Sequence, residues 1–187
     1  MAALTPMMQQ YMEVKNQYKD CILFYRLGDF YEMFFDDALT ASKVLEITLT
    51  GRDCGQPERA PMCGVPYHAC DVYLNKLIEN GFKVAICEQV EDPKLAKGIV
   101  KREVIRVVTP GTNMSNAILD ETRNNYLMSI VENDGAFGIS LVDITTGEFK
   151  TARVPSLSKL TDEINKYSPA EIIGNHSFMN CDLDFIY

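Results

Sequence analysis

The sequence predicts an α/β protein built from two consecutive units, and three observations support this prediction. Apolar runs typical of strands alternate with segments of helical period. Hydrophobic residues make up 47% of the 187 residues, which is enough to bury a core. A polar, weakly patterned stretch, 114–123, separates residues 1–113 from residues 124–187 and is predicted to be a linker.

The first unit is predicted to begin with a helix and a strand. Pro6 precedes the amphipathic segment MMQQYMEVKNQY, and proline is tolerated in a first helical turn because its missing N–H would have no partner there. ILFYRL, residues 22–27, is rich in strand formers and is predicted to be a buried strand that ends at Gly28. From Phe30 the period becomes helical, so a helix is predicted to open there. Its apolar stripe consists of Phe34, Ala38, Ala41 and Leu45.

The rest of the first unit completes a predicted mixed sheet flanked by helices. Residues 50–66, TGRDCGQPERAPMCGVP, are rich in Gly and Pro and indicate a long irregular loop or a hairpin. A helix is predicted over 68–80, where Asn-Gly provides a stop signal. Strands are predicted over 82–90 and 100–109, on either side of the turn EDPKLAKG.

The second unit is predicted to begin with a three-stranded meander. YLMSIVE, AFGISLVDI and EFKTARV are joined by Asn-Asp-Gly and Thr-Thr-Gly, which are typical hairpin turns. A helix is predicted over 156–167. The chain stops at LDFIY, where another apolar element begins, so we expect this unit to be truncated.

The distribution of charge indicates that, if the chain contacts a polyanion, the first unit makes the contact. The net charge is −8, which argues against general nucleic-acid binding through a basic surface. Residues 1–113 carry 13 Lys and Arg against 15 Asp and Glu, a net charge of −2. Residues 114–187 carry 5 against 11, a net charge of −6.

Cysteine usage and hydropathy indicate a cytoplasmic location. The six cysteines lie in apolar or strand-like surroundings without a CxxC pair, which favours reduced thiols packed as small hydrophobes over a zinc site. We find no apolar run of bilayer length and no signal-peptide core, so no membrane association is expected. Phosphate-loop, dinucleotide, zinc-protease and nucleophile-elbow motifs are also missing, so no catalysis is expected from these residues.

The segment GDFYEMFFD, residues 28–36, allows two interpretations. Asp29 and Glu32 fit the D-x-x-E pattern of a helix N-terminal capping box. Phe30, at an exposed opening turn, could instead stack on a nucleobase, an interaction worth about 1–3 kcal/mol. Glu32 would then contact a base edge, because a carboxylate repels phosphates.

Five blocks in this order and spacing closely resemble the N-terminal region of the bacterial MutS family of DNA mismatch repair proteins. They are LTPMMQQY, LFYRLGDFYEMFFDDA, PMCGVPYHA, VAICEQVEDP and RVVTPGT, and the resemblance covers essentially all of residues 4–113. The unit after the linker is similar to the start of that family's connector domain. The resemblance therefore implies a mismatch-recognition domain over 1–113 and the start of a ribonuclease-H-like connector over 124–187.

The resemblance also implies roles for individual residues. In the family, the Phe of Phe-x-Glu wedges against a mispaired base and stacks on it, and the Glu hydrogen-bonds that base; here these are Phe30 and Glu32. Arg52 and Arg102 align with basic positions near the DNA backbone, and the alternative for each is a solvated surface charge. His68 lies in a family block and is assigned to loop or helix-start structure.

For the full-length protein, the resemblance implies a homodimeric ATPase that binds mismatched duplex DNA, uses ATP and Mg²⁺, and acts with the MutL mismatch repair protein. Its nucleotide site would lie beyond residue 187, so this fragment should hold no cofactor or metal.

Two alternative functions remain open. One is a ribonuclease-H-like nuclease in which Asp143, beside Glu148, holds Mg²⁺; solvated acids on a turn would explain the same residues. The other is an acidic protein-interaction module.

Overall fold

The computed structural model describes residues 3–92, 96, 98–113 and 124–181, and the chain divides into two compact units between Thr109 and Pro110. The predicted linker and the apolar C-terminal segment lie outside the described residues. Among the helices that are described, none has the length and hydrophobicity of a bilayer-spanning segment.

The first unit is a six-stranded mixed sheet with helices on both faces, which confirms the predicted fold class. The strand order is β3-β4-β2-β1-β5-β6, and only the β1–β5 pair is parallel. Residues 50–66 form a hairpin, one of the two predicted possibilities. The elements are α1 (Pro6–Gln17), β1 (Cys21–Leu27), β2 (Phe30–Phe34), α2 (Phe35–Leu45), β3 (Thr50–Arg52), β4 (Ala60–Pro66), a 3₁₀ turn (Tyr67–Ala69), α3 (Cys70–Glu79), β5 (Lys83–Gln89) and β6 (Arg102–Val108).

Strand alternation distributes the apolar side chains between two core layers. On one face, Phe24 and Met33 pack against α2 and α3 through residues such as Ala41 and Leu77. On the other face, Leu23, Tyr25 and Phe34 pack against Met8 and Tyr11 of α1. The sheet is therefore covered on both sides, as its apolar strands require.

The prediction that a helix opens at Phe30 is wrong, because residues 30–34 form strand β2. A two-residue turn with Gly28 in first position, at a φ of 58°, pairs Leu27 with Phe30 and starts an antiparallel hairpin. The helix begins only at Phe35, whose φ of 53° marks the change of direction. From there the predicted stripe is correct, since Ala38, Ala41 and Leu45 are buried.

Four of the six cysteines lie in these two core layers, as predicted for small hydrophobes. They are Cys21, Cys54, Cys63 and Cys87. Burial raises the pKa of the Cys63 and Cys87 thiols to about 12. Both thiols are therefore protonated at neutral pH and behave as apolar side chains.

The second unit is a four-stranded sheet that contains the predicted meander. The strand order is β10-β7-β8-β9, and β10, which was not predicted, runs parallel to β7. The Gly111 N–H donates to the Glu171 carboxylate over 3.1 Å, so the short turn that carries it packs on this unit. The elements are a 3₁₀ turn (Pro110–Thr112), β7 (Tyr126–Asn133), β8 (Ala136–Asp143), β9 (Glu148–Val154), α4 (Leu157–Tyr167), β10 (Glu171–Gly174) and α5 (His176–Met179).

Candidate nucleic-acid interface

Phe30 is an exposed aromatic residue at the tip of the β1–β2 hairpin. The residue is 46% exposed, whereas Tyr31 next to it is 5% exposed. The backbone of Phe30 is fixed on both sides, by Leu27 across the hairpin and by Pro66 on β4. The sheet therefore holds the ring in place without burying it.

Phe30 and Glu32 point to the same face of the sheet, because side chains two apart on a strand share a face. Tyr31 and Met33 point to the opposite face and enter the core. Glu32 pairs with Tyr25 on one neighbouring strand and with Gly64 on the other. The capping interpretation of Glu32 is therefore wrong, since no helix begins at this position.

Glu32 forms an ion pair with Arg52, for which the sequence analysis gave a DNA-backbone contact or a solvated surface charge. Arg52 Nη1 lies 2.5 Å from Glu32 Oε2. The side chains are 38% exposed for Arg52 and 15% for Glu32, so the pair lies at the surface with its carboxylate mostly covered. The structure thus brings Phe30, Glu32 and Arg52 together on one face.

Arg102 has a largely structural environment. The residue is only 8% exposed, and its guanidinium carbon lies 5.0 Å from the centre of the Tyr25 ring. Its nitrogens donate to three oxygens at 2.7–3.0 Å, those of the Arg26 carbonyl, the Val100 carbonyl and the Gln10 amide. These contacts explain Arg102 without DNA, and a backbone contact from it stays a prediction.

Arg26 stabilises the tip of the β1–β2 hairpin from the face of the sheet opposite to Phe30 and Glu32. The sequence analysis did not predict this role. Its Nε donates to the Gly28 carbonyl over 2.5 Å, and its Nη1 lies 3.2 Å from a carboxylate oxygen of Glu88. The Tyr31 hydroxyl donates to the same carboxylate. Burial, followed by the nearby Glu88 carboxylate, raises the pKa of Tyr31, so this donor keeps its proton.

The 3₁₀ turn after β4 adds a second exposed aromatic residue to this end of the sheet. Tyr67 is 43% exposed, and the guanidinium carbon of Arg26 lies 3.7 Å from the centre of its ring. The Tyr67 N–H donates to the Asp29 carbonyl over 2.9 Å, which connects this turn to the hairpin. His68 lies in the same turn, and its ring meets the Tyr67 ring edge-on at 5.8 Å. His68 therefore lies in the turn directly before α3, and its assignment to loop or helix-start structure stays a prediction.

Asp143 and Glu148 are the residues of the nuclease hypothesis, and their carboxylates accept hydrogen bonds from other groups of the protein. Asp143 is fully buried and accepts hydrogen bonds from the Thr145 N–H at 2.9 Å, the Thr145 hydroxyl at 2.6 Å and the Asn125 N–H at 3.2 Å. Burial alone would raise the pKa of Asp143, but these hydrogen bonds outweigh it and lower the pKa. Glu148 accepts from the Tyr126 hydroxyl and pairs with Lys150 at 2.7 Å. This arrangement favours a structural turn over a metal site.

The fold and the site define the class of protein: a two-unit α/β segment whose first unit presents an aromatic hairpin tip and an ion-paired carboxylate on one face. The chain belongs to the MutS family. The family model described as MutS domain I matches residues 5–117, and the one described as MutS domain II matches residues 125–182.

The curated relatives carry the name DNA mismatch repair protein MutS. The chain is 70% identical to the protein of Lachnoclostridium phytofermentans over 98% of its length, and 64% identical to that of Acetivibrio thermocellus over 96%. It is 60% identical to the protein of Clostridioides difficile over 100% of its length. These alignments cover 20%, 21% and 19% of the three relatives, so the chain spans about one fifth of their length.

Proposed function

We propose that this chain is the mismatch-recognising N-terminal part of a DNA mismatch repair protein, in which Phe30 and Glu32 contact the mispaired base. The observation that carries the proposal is the shared face of these two side chains, one an exposed ring and the other a carboxylate. The family assignment and the name of the relatives support it.

The physical basis is the difference in stacking between matched and mispaired bases. An aromatic ring inserted beside a base must open a stacked step, which costs a few kcal/mol in matched DNA. A mispaired base is already poorly stacked, so the same deformation costs less. Phe30 stacking on the base would return about 1–3 kcal/mol. Glu32, two residues further on the same face, would accept a hydrogen bond from a base edge.

The proposal extends to the longer protein of which this chain would be a part. That protein would bind mismatched duplex DNA in the cytoplasm, form a homodimer and act with the MutL protein. Its ATP and Mg²⁺ would be bound by residues outside this chain. The 187 residues would contribute recognition and no catalytic group.

The test compares Phe30→Leu with the parent in the full-length protein, by measuring dissociation constants for a matched duplex and for the same duplex with one G·T mispair. Leucine keeps apolar volume at the hairpin tip and removes the ring. We expect mismatch preference to fall by about 1–3 kcal/mol, the value of base–aromatic stacking. Matched binding should change little.

Phe149→Leu is the matched control, because Phe149 is also an exposed phenylalanine on a strand, 65% exposed on β9. It should leave both dissociation constants unchanged. Undiminished mismatch preference in Phe30→Leu, with the protein folded, would overturn the proposal.

A further inference from the structure

We propose that Arg52 is a specificity-determining residue that acts through Glu32, by holding its carboxylate in position and neutralising its charge on the face that carries Phe30. The inference rests on the proposed function and deepens it. It gives Arg52 a role different from that of a phosphate-binding arginine.

The ion pair crosses the strand that lies between its two partners. Arg52 lies on β3 and Glu32 on β2, with β4 between them. The β4 residue opposite Arg52 is Ala60, and the one opposite Glu32 is Gly64. A Cβ added at Gly64 would lie 3.4 Å from Glu32 Cγ, at van der Waals distance, so Gly64 lies directly beside the carboxylate arm. The Arg52 side chain therefore reaches Glu32 over β4, on which Met62 lies between these two positions on the same face.

The burial of the two partners indicates which one needs the other. Glu32 is 15% exposed, and a carboxylate with so little access to water is costly unless a donor satisfies it. Arg52 is 38% exposed and would be well solvated without a partner. Glu32 therefore depends on the ion pair more than Arg52 does.

The same pair addresses an electrostatic problem of the proposed contact. A carboxylate that approaches a duplex repels the phosphates on both sides of the base it touches. A guanidinium 2.5 Å away cancels most of that charge while the carboxylate keeps oxygens that can accept from a base. A phosphate-binding arginine would make a different contribution, since it would strengthen matched and mismatched binding equally.

A double-mutant cycle in the full-length protein separates the two roles. The variants are Arg52→Ala, Glu32→Ala and the double variant, and the measured quantity is the ratio of affinities for G·T and matched duplexes. If Arg52 acts through Glu32, Arg52→Ala should lower this ratio about fivefold or more, as expected for partners coupled in one ion pair. In the Glu32→Ala background, the same change should alter the ratio by less than about twofold.

Two further variants control for charge. Arg59→Ala removes an exposed arginine from the β3–β4 hairpin and should leave the ratio unchanged. Arg52→Lys keeps the positive charge and should keep most of the ratio. A loss in Arg52→Lys as large as that in Arg52→Ala would contradict the neutralising role.

The inference is overturned if Arg52→Ala lowers both affinities equally and reduces the slope of log affinity against log salt by about the amount of one phosphate contact. An arginine that contacts the DNA backbone would behave in that way. Equal effects of Arg52→Ala on the ratio in both backgrounds would overturn it as well. These outcomes differ from a failure of the proposed function, in which Phe30→Leu would keep full mismatch preference.

Discussion

Glu32→Gln removes one negative charge from the face that carries Phe30 and keeps the size of the side chain and one acceptor oxygen. In the folded protein the change replaces the ion pair with a hydrogen bond from the charged Arg52 guanidinium to a neutral amide oxygen. The parent and the variant therefore differ by the attraction between two opposite charges, while the hydrogen bond keeps one ionised partner. Because Arg52 is 38% exposed, solvent reduces the difference. We expect the free energy of unfolding to fall by about 0.5–1 kcal/mol, within the range of exposed ion pairs.

The effect on DNA binding should be larger than the effect on stability. Without the carboxylate charge, Arg52 can attract a phosphate, and matched duplex should bind more tightly. Each additional phosphate neutralised steepens the dependence of log affinity on log salt by about 0.9. Binding of the G·T duplex should gain less, because a neutral amide replaces the charged acceptor at the base. The ratio of mismatched to matched affinity should therefore fall, most strongly at low salt.

The assay is the dissociation constant of parent and variant for matched and G·T duplexes at two salt concentrations. Glu46→Gln is the control, since it removes the same charge from an ion pair with Lys76 in the same unit, where the glutamate side chain is 82% exposed. The control should leave the ratio unchanged. An unchanged ratio and an unchanged salt slope in Glu32→Gln would refute the argument that the Glu32 carboxylate keeps Arg52 from attracting a phosphate.

Three predictions concern stability. Arg102→Ala should lower the free energy of unfolding by about 2–4 kcal/mol, measured by urea titration, because it leaves buried acceptors without their donor; a loss below about 1 kcal/mol would instead indicate a solvated side chain. Asp143 has a lowered pKa in the folded state, so its stabilisation is complete above its ordinary pKa of 3.8 and is lost as the pH falls through the lower folded value. The melting temperatures of parent and Asp143→Asn should therefore differ most at neutral pH and converge below pH 3.8, and a constant difference down to acid pH would contradict this. Ser168 ends α4 with a φ of 43°, a left-handed conformation that glycine adopts more easily than serine. Ser168→Gly should therefore raise the free energy of unfolding by about 0.5–1 kcal/mol. A destabilised variant would show that the serine hydroxyl contributes more to stability than the backbone strain costs.

Elements with local signals were predicted well. The meander of the second unit follows from strict alternation and two Gly-containing turns, and both signals lie within a few residues of the strands they join. The helix α2 follows from its apolar stripe. Strand β10 was missed because Glu171–Gly174 is short and is completed by β7, more than 40 residues earlier in the chain.

The error at residues 30–34 has a physical reason. FYEMFF is apolar at almost every position, so it fits a period of 2 and a period of 3.6 equally well. What decides between them is pairing, with β1 through the two-residue turn and with β4 about 30 residues further along the chain. The Glu32–Arg52 pair was missed for the same reason, since it depends on the order of β3, β4 and β2.

The corrected secondary structure changes what the Phe-x-Glu pattern can do. On a helix, residues two apart point in directions about 200° apart, so a ring and a carboxylate at positions 30 and 32 could not both face one base. On a strand, the same spacing places both side chains on one face. The strand also separates the two residues from the core, because Tyr31 and Met33 supply the burial that holds β2 in the sheet. The joint action that we propose for Phe30 and Glu32 on one mispaired base therefore requires the strand β2 in place of the predicted helix. Arg52 on β3 pairs with the Glu32 carboxylate only in that arrangement.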